Sequence, residues 1–285
     1  MADRESTKWT IIARLDSRTL ATKGIVMKVS VGQFAPTGSI TENLGTMARL
    51  AARAKDEGAG LVLFPEEAML AVSKVEGGLD KAIAGHWTAF VQQLSFIAAE
   101  HKIAIVAGGY EESGDARPFN TLAAVAEDGR ILGTYRKIHL YDAFSYQEST
   151  AITAGPVEAL PIFEIGGLKV GVLTCYDLRF PELSRRLAVN GADVLLVAAA
   201  WFKGEHKIEH WETLLKARAI ENTVWVAAAG TSSSHTIGHS AILDPMGVPV
   251  VFLDDDAEGL VTTEVTRRRI DEVREFLPVL ENRRL

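Results

Sequence analysis

The sequence predicts an α/β fold in which two mixed β-sheets pack back to back, with helices on their outer faces. Short apolar runs of strand length alternate along the chain with amphipathic stretches of helical periodicity. Some neighbouring strands are joined by a helix and others by a tight turn, so parallel and antiparallel pairs are expected in one sheet. Two such sheets facing each other would bury this many apolar strands.

The first half of the chain predicts alternating strands and helices followed by a hairpin. The predicted strands are Val26–Phe34, Leu61–Phe64, Ile103–Tyr110, Thr121–Ala126 and Ile131–Tyr135, and the predicted helices are Thr41–Asp56 and Leu79–His101. The last two strands form a hairpin because Asp128-Gly129 supplies a turn with positive φ. No linker divides the chain, so residues 27–285 are expected to form one domain. Residues 1–26 are too polar and acidic for a targeting segment and are interpreted as an N-terminal extension, with an ordered N-terminal arm as the alternative.

The second half repeats the alternation. The predicted strands are Leu168–Thr174, Val194–Ala199, Val224–Ala229, His239–Leu243 and Val248–Phe252, and the predicted helices are Pro181–Asn190, Ile208–Asn222 and Thr266–Glu275. No G-x-G-x-x-G opens a helix after a strand, and no G-x-x-x-x-G-K-[ST] occurs. A doubly wound nucleotide-binding fold therefore fits less well.

The bulk composition indicates a globular chain and excludes several classes of partner. Of 285 residues, 47% are hydrophobic, which is enough apolar material for a large core. The net charge of -7 gives no electrostatic reason to bind nucleic acid or an anionic membrane, and no apolar run approaches the roughly 20 residues of a membrane helix. The single cysteine excludes an intrachain disulfide but permits a catalytic thiol, so a reducing, cytoplasmic location is expected.

Cys175 is the first candidate for chemistry. It ends the strand LKVGVLT and precedes YDLRFPEL, which turns into a helix. Backbone N–H groups and the positive end of a helix are expected to lower the pKa of its thiol and favour the thiolate. The alternative is an inert buried cysteine, which is common in cores. The polar neighbours Tyr176, Asp177 and Arg179 favour a functional site.

Three further charged positions are candidates on weaker grounds. Glu66 and Glu67 follow Pro65 at the carboxyl end of a strand, where a buried carboxylate could be a general base, although a solvated pair would look the same. Lys137 in YRKIHL could stabilise an oxyanion or be a surface cation. Glu148 in YQEST lies on a loop beyond it.

A zinc site is an alternative at His206-Lys207-Ile208-Glu209-His210, which matches the H-x-x-E-H pattern of inverted zinc peptidases. That pattern needs a long helix through both histidines and a further acidic ligand. Gly204 places His206 at the start of a helix, so packing of His210 and Trp211 at a helix N-terminus is favoured over a metal site.

Four motifs together carry a family resemblance. FPEE, YRKIHL, CYDLRFPEL and HWETLLKARAIEN occur in the order and approximate spacing of the nitrilase superfamily of carbon–nitrogen hydrolases, and the resemblance covers residues 27–285. It implies a four-layer α-β-β-α sandwich and a catalytic set of Glu66, Lys137 and Cys175. Glu148 resembles the family's second glutamate, which holds the lysine, and the backbone N–H of Tyr176 would share the oxyanion hole. No metal or organic cofactor is needed.

The cysteine motif is most similar to the Nit branch, which contains omega-amidases and deaminated-glutathione amidases. The resemblance implies hydrolysis of a small carboxamide through a cysteine thioester. Nitriles and N-carbamoyl compounds are the alternative substrates, placed second because Tyr176 follows the cysteine where nitrilases usually have tryptophan. A substrate carboxylate is expected to bind Arg179, unless Arg179 pairs with Glu182 or Asp177. The loop from Tyr141 to Gln147 lacks the Pro-Gly of many Nit members and borders the pocket, so it bears on substrate identity.

Other hypotheses stay open at this point. A papain-like hydrolase would need a histidine base, for which His139 and His239 are candidates. A catalytically silent scaffold is disfavoured because Glu, Lys and Cys are all present. The family usually forms homo-oligomers, so at least a dimer is expected, through the helix Pro181–Asn190 and an apolar C-terminal tail. The apolar residues of that tail are Phe276, Leu277, Val279 and Leu280.

Overall fold

The computed structural model describes residues 24–114, 117–158, 160–254 and 257–285. The predicted N-terminal extension over residues 1–26 lies almost entirely outside the described residues and stays a prediction. Ile25 packs against the core, and the first strand begins at Val26.

The first sheet has six strands, which are β1 Val26–Gln33, β2 Leu61–Leu63, β3 Ala104–Glu111, β4 Phe119–Val125, β5 Ile131–Arg136 and β14 Gly259–Thr266. Their order across the sheet is β14-β1-β2-β3-β4-β5. The central strands β1, β2 and β3 pair in parallel, and the remaining pairs are antiparallel. The sheet is therefore mixed, as predicted.

The second sheet also has six strands, which are β8 Ile162–Ile165, β9 Leu168–Thr174, β10 Val194–Ala199, β11 Trp225–Gly230, β12 Ala241–Leu243 and β13 Pro249–Phe252. Their order across the sheet is β13-β12-β11-β10-β9-β8. Here β9, β10 and β11 are parallel and the outer pairs are antiparallel. A separate two-stranded hairpin is formed by β6 Asp142–Ala143 and β7 Tyr146–Gln147.

Helices cover the outer faces of both sheets. They are α1 Ile40–Asp56, α2 Leu79–Ile83, α3 Trp87–His101, α4 Pro181–Val189, α5 Lys207–Asn222 and α6 Arg267–Phe276. One apolar core lies between the sheets and contains Leu61 and Leu63 of β2, whereas Val62, one position away, belongs to a second core under α1 and α3. This period of two follows from the alternation of side chains along a strand. The predicted α-β-β-α sandwich is confirmed.

One predicted helix needs correction, and four short or edge strands have no predicted counterpart. The single helix predicted over Leu79–His101 is two helices, interrupted around Gly85, whose φ of +72° does not fit a right-handed helix. Strands β8 and β14 were not predicted. Both are edge strands with only two fully buried residues each, so they lack the continuous apolar run that marks a central strand.

No helix within the four described ranges is long and apolar enough to cross a membrane.

Candidate active site

The predicted site residues follow the ends of different strands and meet in one cavity. Glu66 lies just beyond β2, Lys137 just beyond β5 and Cys175 just beyond β9. Glu148 begins a short 3₁₀ turn directly after the β6–β7 hairpin. All four line the same cavity, together with Tyr176 and Arg179. The two sheets thus bring together residues that are far apart in the sequence.

The ammonium group of Lys137 lies between two carboxylates. Its Nζ atom is 2.9 Å from Oε1 of Glu66 and 2.9 Å from Oε2 of Glu148. The exposed fractions of Glu66, Lys137 and Glu148 are only 4%, 2% and 7%. Burial alone lowers the pKa of Lys137, but the two carboxylates raise it well above its ordinary value. Lys137 is therefore a fixed buried cation.

Two further donors hold the Glu66 carboxylate. The Nδ2 group of Asn120 donates to Oε1 at 2.7 Å, and the backbone N–H of Ala200 donates to Oε2 at 2.7 Å. Burial raises the pKa of Glu66, but the charge of Lys137 and these hydrogen bonds outweigh it, so the pKa is lowered overall. Glu66 is ionised and held in one orientation. No sequence motif indicates Asn120 or Ala200 as part of the site.

Glu148 is anchored in the same way from the loop side. Its Oε2 atom accepts a hydrogen bond of 2.6 Å from the backbone N–H of Tyr141, at the base of the β6–β7 hairpin. The backbone N–H of Glu148 in turn donates to the carbonyl of Tyr141 at 3.2 Å. The loop that bears on substrate identity is therefore tied directly to the residue that holds Lys137.

Cys175 occupies a strained turn between β9 and α4. Its φ is +47°, which is unfavourable for a residue with a Cβ atom. Asp177 holds this turn by accepting hydrogen bonds from the backbone N–H of Thr174 at 3.0 Å and from the hydroxyl of Tyr135 at 2.7 Å. His139 contacts the other oxygen of Asp177 through its Nδ1 atom at 2.7 Å. The strained backbone is a feature of active-site nucleophiles.

The expected lowering of the Cys175 pKa is wrong. Cys175 is only 8% exposed, and burial and the neighbouring charge of Glu66 raise the pKa of its thiol well above the ordinary value. The turn that begins at Cys175 is a 3₁₀ segment of five residues, too short to supply the dipole of a long helix. The resting pair is therefore a neutral thiol beside an ionised glutamate.

Glu67 also lines the cavity but in a different setting. Burial and the adjacent Glu66 raise the pKa of Glu67 to about 7. The hydroxyl of Tyr110 donates a hydrogen bond to its Oε1 atom at 3.2 Å. No ion pair holds Glu67 within the described parts of the chain as Lys137 holds Glu66, so the two consecutive glutamates differ in charge near neutral pH.

The cavity wall away from Glu66 carries two cations. The guanidinium carbon of Arg179 lies 4.6 Å from the ring centroid of Trp201, and the Nε and Nη2 atoms of Arg179 are buried without a hydrogen-bond partner in the described ranges. No ion pair joins Arg179 to Asp177 or Glu182 there. The second cation, Lys207, is buried at the start of α5 and was not predicted.

The two histidines that could serve as a base, His139 and His239, do not line the cavity. His139 stacks on Phe180 at a centroid distance of 3.8 Å, and His239 faces Glu212 with its Nδ1 atom at 3.8 Å. Neither lines the cavity that contains Cys175, so the papain-like hypothesis has no histidine in place among the described residues.

The H-x-x-E-H segment is also explained. His206 is the exposed residue that precedes α5, and Trp211 is fully buried as expected, but His210 is exposed rather than packed. Across the part of the chain that the structure describes, no three or more His, Cys, Asp or Glu side chains cluster in a way that could hold a metal ion.

The comparison with known families decides which enzyme class this geometry represents. Residues 28–275 match the family described as Carbon-nitrogen hydrolase. The chain belongs to this family.

Relatives within the carbon–nitrogen hydrolase family are named as amidases. A deaminated glutathione amidase from Escherichia coli O157:H7 is 39% identical over 262 residues, which cover 90% of this chain and 97% of the relative. A 2-oxoglutaramate amidase from Bacillus subtilis is 37% identical over 189 residues, or 65% of this chain and 70% of the relative.

A solved structure has the same fold. It is a variant of the amidase from Nesterenkonia sp. AN1, described as showing covalent addition of the acetamide moiety of fluoroacetamide at the active-site cysteine. It is 28% identical with a TM-score of 0.72, over 88% of this chain and 97% of that chain. These findings confirm the prediction of a thiol-dependent carbon–nitrogen hydrolase related to the Nit branch.

Proposed function

We propose that this carbon–nitrogen hydrolase converts a small carboxamide to a carboxylate and ammonia through a thioester on Cys175. The observation that carries the proposal is the buried Glu66–Lys137–Glu148 cluster in the cavity that Cys175 lines. The Nesterenkonia relative, with an acetamide moiety attached at its active-site cysteine, supports a nucleophilic role for the matching thiol.

Acylation begins with proton transfer from the Cys175 thiol to Glu66. The sulfur attacks the amide carbon, and the negative charge that develops on the amide oxygen is stabilised by Lys137 Nζ and the backbone N–H of Tyr176. Collapse of the tetrahedral intermediate breaks the C–N bond. The nitrogen takes the proton held by Glu66 and leaves as ammonia, so a thioester remains.

Deacylation uses the same groups in reverse order. Glu66 accepts a proton from a water molecule, whose oxygen attacks the thioester carbon, and the same donors stabilise the second oxyanion. Collapse then breaks the C–S bond, and the proton on Glu66 returns to the sulfur. Glu148 contributes by holding the Lys137 ammonium at 2.9 Å, so no reorganisation of this charge is needed during the reaction.

The proposed substrate carries a carboxylate at the end remote from the scissile amide, and Arg179 binds it. The buried Nε and Nη2 atoms of Arg179 have no acceptor within the described parts of the chain, and a guanidinium offers two parallel donors to a carboxylate. The name of the Bacillus subtilis relative, 2-oxoglutaramate amidase, denotes an amide that bears a carboxylate.

The proposal includes a homo-oligomer and a cytoplasmic location. Phe276 at the end of α6 is 64% exposed and Val189 at the end of α4 is 43% exposed, so both predicted contact segments present apolar surface. Burial of these side chains against a second copy would remove them from water. A nucleophilic thiol stays active in a reducing compartment such as the cytoplasm.

The test is an ammonia-release screen with purified enzyme over small amides, matched nitriles and N-carbamoyl compounds. We expect carboxylate-bearing amides to be turned over fastest, and the Cys175→Ala variant to be inactive with an unchanged circular dichroism spectrum. Trapping of an acyl adduct on Cys175 by mass spectrometry would support the thioester. Full activity of Cys175→Ala would end the proposal, and turnover of nitriles in preference to amides would favour the nitrilase alternative.

A further inference from the structure

Lys207 is a buried lysine with no ion-pair partner among the residues that the structure describes. It is the first residue of α5, its exposed fraction is 6%, and it lines the same cavity as Cys175. In the described ranges, the one hydrogen-bond partner of its ammonium group is the hydroxyl of Tyr141, at 2.9 Å from Nζ. Buried ammonium groups are normally paired with an acid, because loss of hydration is costly.

Aromatic rings surround the Lys207 ammonium instead. Nζ lies 4.0 Å from the ring centroid of Phe144, 5.1 Å from that of Tyr141 and 5.8 Å from that of Trp201. Phe144 is at the tip of the β6–β7 hairpin, where positive φ angles at Phe144 and Ser145 form the tight turn. The rings stabilise a cation and fix its position while leaving its charge uncompensated.

The surroundings of Lys207 add positive potential. Burial and then the charge of Arg179 lower the pKa of Lys207. The amino end of α5, where backbone N–H groups carry partial positive charge, is also unfavourable for a lysine. Trp201 contacts both cations, with Arg179 4.6 Å and Lys207 5.8 Å from its ring centroid. Among the described residues, therefore, neither of these two cations is paired with a carboxylate.

We propose that Lys207 is a second substrate-binding residue, which together with Arg179 holds the remote carboxylate of the amide. The inference rests on the proposed amidase function and adds a residue and a charge requirement to it. A carboxylate between the two cations would accept hydrogen bonds from Nε and Nη2 of Arg179 and from Nζ of Lys207. The negative charge would also relieve the repulsion between Lys207 and Arg179. A neutral group of the same shape cannot provide this effect.

The test compares two amides that differ in charge but little in shape. Succinamate carries a carboxylate, and levulinamide has a methyl ketone in its place. The variant is Lys207→Met, which keeps an unbranched apolar side chain within the aromatic cage, and the control is Lys216→Met on the same helix, where the lysine faces Glu212. Steady-state ammonia release gives kcat and KM, and calorimetry measures the binding of succinate to each protein without any turnover.

Lys207→Met is expected to lower kcat/KM for succinamate by about 10- to 100-fold, mainly through a higher KM, because a hydrogen bond to a charged group is lost. The kcat/KM for levulinamide should stay within about threefold, and succinate binding should weaken by the same factor as succinamate. Lys216→Met should match the unmodified enzyme for both amides and for succinate.

Other outcomes separate this inference from the proposed function. Equal losses for both amides, or no loss for either, would overturn the role of Lys207. If the unmodified enzyme hydrolyses no amide, the proposed function fails, and calorimetry still decides the binding site: succinate bound by the unmodified protein and lost in Lys207→Met supports it. Failure of the unmodified protein to bind succinate overturns it.

Discussion

The Nζ atom of Lys137 lies 2.9 Å from Oε1 of Glu66, and both side chains are almost completely buried. Removal of either charge would leave the other buried without its partner, where hydration compensates it poorly. Glu148 adds a second carboxylate on the other side of the ammonium. The cluster is thus one ionised unit, and changes to its members are not expected to be additive.

The two consecutive glutamates should differ sharply in their effect on activity. Glu66→Gln keeps the shape but cannot accept the thiol proton, so we expect acylation to slow by about 10²- to 10⁴-fold. Glu67→Gln should cost less than about tenfold, since Glu67 contacts Tyr110 rather than Lys137. Single-turnover measurement of ammonia release from each variant checks this. A larger loss in Glu67→Gln would show that the base has been assigned to the wrong residue.

Glu67 should make stability depend on pH. Its pKa is about 7 in the folded protein against an ordinary value of 4.5. The folded state therefore holds this proton more tightly, so the contribution is complete below about pH 4.5 and is lost as the pH rises through about 7. Relative to Glu67→Gln, the unmodified protein should lose about 2–3 kcal/mol of unfolding free energy between pH 4.5 and pH 8. Urea unfolding of both proteins at the two pH values tests this, and parallel curves would contradict it.

A strand could be predicted from the sequence where both of its faces are buried. Leu168–Thr174 and Val194–Ala199 coincide with β9 and β10 because central parallel strands are apolar along their whole length. Strand β14 cannot be predicted in this way because Thr262, Thr263 and Glu264 interrupt its run of apolar residues. Its identity as a strand comes from pairing with β1, more than 200 positions earlier in the chain, which no local pattern records.

The sequence likewise indicates some residues of the site, whereas only the folded structure reveals the others. Glu66, Lys137 and Cys175 each lie in a motif just beyond a strand, so the sequence indicates them. Asn120 is 54 positions from Glu66, and its amide is recognisable as a partner only in the folded chain. Lys207 resembles an ordinary surface lysine at the start of a helix, and only the packing of aromatic rings around it reveals a buried charge. The predicted lowering of the Cys175 pKa is wrong because burial of the thiol, which raises its pKa, outweighs the effect expected from the backbone N–H groups of the turn.

Gly108 fixes the backbone that carries Glu66. It accepts a hydrogen bond from Met69 at 2.9 Å, and a Cβ atom at this position would overlap the carbonyl of Glu66 and lie 2.6 Å from its Cα atom. Gly108→Ala should therefore displace Glu66, with a loss of about 1–3 kcal/mol of stability and a lower kcat. Urea unfolding and ammonia release measure the two effects.

Gly45→Ala is the matched control. Gly45 is an exposed residue of α1, with no atom within 4 Å of an added Cβ. Alanine should stabilise the helix by about 0.5–1 kcal/mol and leave activity unchanged. If Gly108→Ala behaves like Gly45→Ala, contact with the Glu66 backbone is not what requires glycine at position 108.

Arg179→Lys should separate carboxylate binding from a bracing role. Lysine keeps the charge but loses the fork of two parallel donors, so kcat/KM for succinamate should fall by about 10- to 100-fold. The matched loss for levulinamide should be less than about threefold if Arg179 acts through the substrate carboxylate. Arg130→Lys is the control, because Arg130 is exposed and its Nε atom lies 3.8 Å from Oδ2 of Asp128, in an exposed ion pair. Equal losses for the acidic and neutral amides would mean that Arg179 supports the Cys175 turn. A preference of the unmodified enzyme for levulinamide would reject carboxylate recognition altogether, because two cations in the pocket wall would then be binding no anion.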